Sequence, residues 1–173
     1  MPSIQVNRLT NANIYVNGVS KLGTAEEITA PDIKFMLAEH KALGMVGKVE
    51  LFSGIDKLEM KIKWNSFYAD VMAQFSNPFN ALQLQIRSSL ETYTSQGRSA
   101  EVPVVVYVTG MIKNVPMGNF KQHDNVELES TLTATYVKFQ VNGVEVMEFD
   151  ALANIYKVNG VDVLLNYRNN IGG

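Results

Sequence analysis

Apolar and polar side chains alternate with a period of two along most of this chain, and few folds satisfy that pattern. Leu58, Met60, Ile62 and Trp64 fall on one face of such a run, with Lys57, Glu59, Lys61 and Lys63 on the other. Leu82, Leu84 and Ile86 alternate with Gln83, Gln85 and Arg87. Successive side chains of a β-strand point to opposite faces, so the spacing reads as strands with one buried and one wet face. The longest run, 125–141, sets Val126, Leu128, Leu132, Ala134 and Tyr136 against Glu127, Glu129, Thr131, Thr133 and Thr135. At about 3.3 Å per residue it reaches roughly 50 Å or more. Such a strand either bends at a bulge or runs the length of a large shared sheet. The run 102–108 is denser in apolar residues and is interrupted by Pro103 near its start, where an edge or first-residue position tolerates proline.

One tetrapeptide recurs three times between these runs: Val16-Asn17-Gly18-Val19, Val141-Asn142-Gly143-Val144 and Val158-Asn159-Gly160-Val161. Asn and Gly both tolerate the positive φ of a type I′ turn, so each copy reads as a tight hairpin. The irregular spacing of the copies excludes a solenoid. One helix is expected, with Asn65 or Ser66 as its cap, an apolar stripe of Phe67, Tyr68, Val71, Met72 and Phe75, and Asn77-Pro78 as its stop. That stripe packs against the sheet. The segment 35–43 reads either as a second helix with weaker caps or as a strand followed by a loop. Between 43 and 55, Gly44, Gly47 and Gly54 with few charges indicate an extended loop or hairpin. Loops of that length tend to make contacts, so Gly44, Met45, Gly47, Phe52 and Gly54 are expected at a subunit junction.

There are no cysteines among the 173 residues, which excludes disulfides, thiolate nucleophiles and cysteine zinc sites. His40 and His123 lie far apart and outside any metal-ligand spacing. Gly44-Met45-Val46-Gly47-Lys48-Val49 fails as a phosphate loop, because Ala42 stands where its first glycine belongs and Val49 where a hydroxyl must ligate magnesium. Glu127 and Glu129 share a strand face with threonines, which a wet surface explains without acid–base work. No catalytic, cofactor-binding or metal-binding residue is assigned, and no enzyme or cofactor is expected. A net charge of −2 with both signs interspersed leaves no basic patch for gripping nucleic acid. The densest basic stretch, Lys57 to Lys63, decorates one face of a strand. The start lacks the pattern of a signal peptide, and no apolar run reaches the length of a membrane span. Synthesis in the cytoplasm and no membrane insertion are expected. The charged fraction, 18%, is below the usual quarter, as in a subunit largely covered by neighbours.

The C-terminal third carries a resemblance. Tyr136-Val137-Lys138-Phe139-Gln140-Val141-Asn142-Gly143 continues through Glu148-Phe149-Asp150 and Val158-Asn159-Gly160-Val161-Asp162 to Arg168-Asn169-Asn170-Ile171-Gly172. This order is similar to the major tail tube proteins of contractile-tailed phages, and to the tubes of R-type bacteriocins. The opening Asn13-Ile14-Tyr15-Val16-Asn17-Gly18-Val19, Ala30-Pro31-Asp32-Ile33 and Gly44-Met45 extend the likeness over nearly the whole chain. The resemblance implies a single mainly β tail-tube domain over 1–173: an antiparallel sandwich or partial barrel with one flanking helix. Six such subunits would close a ring, their sheets joining into one large β-barrel, and rings would stack into a hollow tube in the virion tail. Implied partners are further copies, a sheath protein, baseplate and tail terminator proteins, a tape-measure protein in the lumen, and DNA in transit. A wall that passes DNA quickly should be near-neutral to acidic, so Glu127, Glu129, Thr131, Thr133 and Thr135 are expected to face the lumen. Two other readings remain: a phage-derived particle that passes no DNA, and a monomeric barrel holding a small ligand.

Overall fold

In the computed structural model, which describes residues 4–173, the alternating runs become antiparallel strands. β1 (Val6–Val16) turns into β2 (Val19–Ser20), and β3 (Ala25–Thr29) follows. β4 (Phe35–His40) and β5 (Val49–Ile55) form a separate hairpin before β6 (Leu58–Trp64). Helix α1 (Ala69–Phe75) leads to three long strands, β7 (Leu82–Thr94), β8 (Gly97–Ile112) and β9 (Leu128–Val141). β10 (Val144–Asp150), β11 (Ile155–Val158), β12 (Val161–Asp162) and helix α2 (Leu165–Asn170) come last. The sheet order is β12-β11-β10-β9-β8-β7-β1-β2, and β6 branches from β9 and carries β3. Asn17-Gly18, Asn142-Gly143 and Asn159-Gly160 all sit at positive φ, between paired valines.

The branch exists because β9 changes partners halfway. Residues 128–134 pair with β6, and residues 136–141 pair with β10. Thr135 is the extra residue between them: on β8, Thr109 faces Tyr136 while Gly110 already faces Ala134. This bulge bends the long strand and lets one sheet fold over onto itself. The backbones approach so closely there that a Cβ on Gly110 would lie 2.4 Å from the Thr133 carbonyl oxygen. Only glycine fits.

The inward faces of both halves enclose the core, with Ile14, Val16, Leu58, Met60, Ile62, Leu84 and Leu132 buried. Val71, Met72 and Phe75 of α1 close it from one side. Trp64 is sealed in completely; its Nε1–H donates to Ser130 Oγ at 3.0 Å, and its ring meets Phe75 edge-on at 5.7 Å between centroids. The ammonium of Lys21, itself buried, pairs with Asp70 in the first turn of α1 and ties the helix to the β2–β3 connection.

Two local expectations are corrected. The helix begins at Ala69 with Tyr68 at the N-cap position and no side-chain cap. Asn65 is engaged elsewhere, donating to the Gly23 carbonyl oxygen at 2.8 Å and accepting from the Tyr68 hydroxyl at 2.6 Å. Phe67 therefore precedes the helix and lies exposed, outside the packed stripe. Pro103 holds an edge position, as expected, but within a longer strand: β8 already starts at Gly97, and β9 pairs with it only from Val104 onward. The Pro103 carbonyl accepts from Asn142 N–H at 2.8 Å, so its missing donor faces the side where β9 has already turned away.

Candidate assembly surfaces

The wet face of the sheet runs from β6 across β9 and β8 to β7. Glu59, Lys61 and Lys63 of β6 stand in register beside Thr133, Thr131 and Glu129 of β9. Lys61 reaches Glu129 at 3.4 Å, and Lys63 reaches Glu127 at 3.1 Å and Glu26 at 3.3 Å. Lys113 and then Lys57 bond to Glu59 and hold its carboxyl below the ordinary range. Beyond the bulge, Gln85, Tyr107, Thr109, Tyr136, Lys138 and Gln140 continue the face along a shallow groove. Exposed pairs of this kind add little stability. Their effect is on the pattern of charge.

The five residues expected at the lumen thus divide. Glu129, Thr131 and Thr133 share the face, and Glu127, just before β9, joins it through Lys63. Thr135 leaves the row because it is the bulge residue, and its hydroxyl donates to the Thr109 carbonyl oxygen at 3.4 Å. The surface is also not the plain Glu and Thr row of the sequence pattern. Lysines from β6 and the β8–β9 connection interleave, so the charges cancel locally. Strand pairing, invisible in the linear pattern, brings them together; Lys113 has no sequence neighbour that points to Glu59.

A denser polar cluster joins β9, β10 and β11 on the same face. The Tyr136 hydroxyl donates to Glu148 at 2.8 Å, Lys157 donates to its other oxygen at 2.7 Å, and Lys138 lies 3.0 Å from Glu145. The Lys157 ammonium, with help from the Tyr136 hydroxyl, holds Glu148 below the ordinary carboxylate range, although burial opposes it. The same bond raises Lys157, while burial and then Glu148 push Tyr136 above the usual phenol range. The depressed Glu148 stabilises the fold above the ordinary value of 4.5 and loses that contribution as pH falls through its folded value. The raised Lys157 contributes below its ordinary 10.5 and loses it as pH rises through its folded value. A Lys157→Met variant is therefore expected to be less stable than the parent between these limits. Urea midpoints measured across pH should converge at both ends, and a pH-independent gap would contradict the pairing.

The β4–β5 hairpin is a second surface, exposed on both faces. It starts at Phe35, so the segment 35–43 holds a strand and a loop and no helix. Pairing Phe35 with Ile55 through His40 with Val49 satisfies its backbone where no core face is available to a helix. Gly44, Met45 and Gly47 lie in the tip, and Phe52 and Gly54 on the returning strand β5. The base rests on the body through Phe35, whose ring meets Tyr156 at 6.2 Å. Above that contact Met36, Leu37, Leu51 and Phe52 are exposed, and at the tip Leu43 and Val46 are 105% and 109% exposed. Exposed apolar surface this contiguous is rare on a solitary monomer.

The third surface is a ribbon. β1, β7 and β8 continue past the end of β9, with Val6 opposite Tyr93 and Thr94 opposite Gly97. Among the described residues, no strand covers the outer edge of β1 over 6–10 or of β8 over 97–103. Open ladders on both sides of one ribbon are templates for strands of other chains.

A profile of the family described as phage tail tube protein FII matches residues 6–172. The chain belongs to the phage tail tube protein FII family. The tail tube protein of Escherichia phage P2 is 29% identical over 167 residues, 95% of this chain and 96% of that one. Tail tube proteins of this family are structural subunits. Among solved structures, the fold is similar to a sheath/tube terminator assembly of the PVC extracellular contractile injection system, with a TM-score of 0.54 and 15% identity over 75% of this chain and 92% of that one. A PVC sheath–tube complex matches with a TM-score of 0.53 and 12% identity, over 75% and 87% of the two chains. His40 and His123 are exposed, and no group of three or more metal-ligating side chains occurs among the described residues. Trp64, Met60, Leu132 and Phe75 fill the interior that a ligand-binding barrel would keep open.

Proposed function

We propose that six copies close into a ring and that rings stack into the inner tube of a contractile phage tail. The observation that carries this reading is the division of one sheet into a sealed apolar face and a charge-balanced wet face, on a subunit whose ribbon edges and hairpin are uncovered. A head-to-tail contact closes into a ring when its rotation allows. Strand pairing along the ribbon would extend each sheet into its neighbour's, and a barrel of that many strands encloses an aqueous channel. The wet face, with Glu129, Thr131 and Thr133 at its centre, lines that channel. Its lysines are occupied by glutamates, so few cations are left to hold passing phosphates. DNA therefore slides without sequence-specific contact. The hairpin tip, with Gly44, Met45 and Gly47, engages a neighbouring copy. Sheath, baseplate and tail terminator proteins meet the outer wall and ends, a tape-measure protein fills the lumen before ejection, and the subunits assemble in the host cytoplasm.

Electron microscopy of the purified protein tests the reading. Tubes of uniform width are expected, and a reconstruction should set Glu129 and Thr131 against the channel. A dispersed monomer would overturn the assembly, and a reconstruction with these residues on the sheath side would overturn the wall.

A further inference from the structure

Between β3 and the inner face of the β1–β7–β8 ribbon lies an open cleft of about 450 Å³. Its floor is apolar: Leu9, Ile28, Ile86, Val104, Val106 and Phe139 line it. The cleft exists because β3 pairs with β6 and covers only part of the ribbon, leaving the inner face beyond Ile86 without a facing layer. A floor of this composition loses free energy to water until something apolar covers it.

The same chain carries a matching piece. The hairpin tip presents Leu43 and Val46, both fully exposed, and begins with Lys41. Lys48 at the other end of the tip is engaged by Glu39 at 2.9 Å, whereas Lys41 has no ion pair among the described residues. At the cleft, Glu26 is engaged by Lys63, whereas Glu27, which also lines it, has none among the described residues. One unpaired cation beside an apolar tip thus answers one unpaired carboxylate beside an apolar cleft. We propose that the cleft under β3 receives the β4–β5 tip of a second copy of this chain, with Lys41 directed to Glu27. The inference rests on the reading that the hairpin reaches a neighbouring copy, and it names where the hairpin lands. The two patches differ, so the contact is heterologous, and every copy keeps one free tip and one free cleft.

Two complementary variants test it. In the first, residues 41–48 are replaced by an Asn-Gly turn, which keeps the β4–β5 pairing and removes the tip. In the second, Ala12→Arg and Glu27→Lys, both exposed positions lining the cleft, block the receiver and leave the tip intact. Circular dichroism confirms that both fold. Neither alone should form tubes. Their equimolar mixture should yield, in analytical ultracentrifugation, a species of twice the mass of whatever either forms alone, and growth should stop there. A mixture that shows no such species, while each variant alone fails to assemble, overturns the cleft as receiver. Tubes formed by the cleft variant alone overturn it equally. Tubes formed by the tip variant alone would instead remove the underlying reading of the hairpin.

Discussion

Excising the β4–β5 hairpin and joining Lys34 to Asp56 is expected to yield a folded subunit that forms no tubes. The splice is geometrically easy, because Asp56 N–H already donates to the Lys34 carbonyl oxygen at 2.9 Å. None of the buried core residues lies between Phe35 and Ile55, so the deletion takes no side chain out of the sealed interior. What it removes from the body is the Phe35–Tyr156 contact, the packing of Ile55 against the core, and the wall that Phe52 and Ile55 form across the cleft from Phe149. Thermal melting should therefore stay cooperative with a modestly lowered midpoint, while electron microscopy shows no tubes. Removing only 43–55 would be a poorer experiment. It would strip β4 of its partner and leave Phe35, Met36 and Leu37 on an unpaired strand, a recipe for aggregation. Normal tube growth by the spliced protein would show that the hairpin takes no part in assembly.

Much of this fold is legible in the sequence because its signals are local. The period-two runs around Leu58–Trp64 and 82–86 depend only on which side of a pleat is wet, and the Asn-Gly pairs depend only on φ. The stretch 125–141 shows where that legibility ends. Its alternation marks a long strand, but the bulge at Thr135 comes from β9 exchanging β6 for β10, a tertiary event that moves Thr135 out of its row. The start of α1 failed to follow its cap signal for the same kind of reason, since Asn65 found a better partner in the Gly23 backbone. The assembly surfaces are the least legible. Lys61 and Glu129 are far apart in sequence and meet only through strand register, and the cleft under β3 exists only because the ribbon outruns its cover. Family membership comes from the order of many weak motifs, which spacing and composition alone would not have supplied.

Trp64→Ala is expected to be the most damaging single substitution in the body. Deleting a buried tryptophan side chain costs about 3–5 kcal/mol through lost transfer energy and an unfilled cavity. Domains of this size are stable by only about 5–15 kcal/mol, so a large share of the protein should unfold in mild urea. Trp64→Phe separates two contributions. The phenyl ring keeps much of the contact with Phe75 but leaves the Ser130 hydroxyl, 0% exposed, without its donor. An unsatisfied buried polar group costs about 1–3 kcal/mol. Adding Ser130→Ala removes the orphan, so the double variant should recover part of that loss, giving a coupling that a double-mutant cycle in urea reads directly. Strictly additive effects would mean the indole–hydroxyl bond contributes nothing. The consequence reaches the wet face, because Trp64 and Ser130 point inward from the two strands whose outward side chains are Lys63, Lys61, Glu129 and Thr131. Loosening that pair frees the β6–β9 register, and with it the matching of lysines to glutamates on the proposed channel wall. Tube yield should therefore fall in the order parent, double variant, Trp64→Phe, Trp64→Ala.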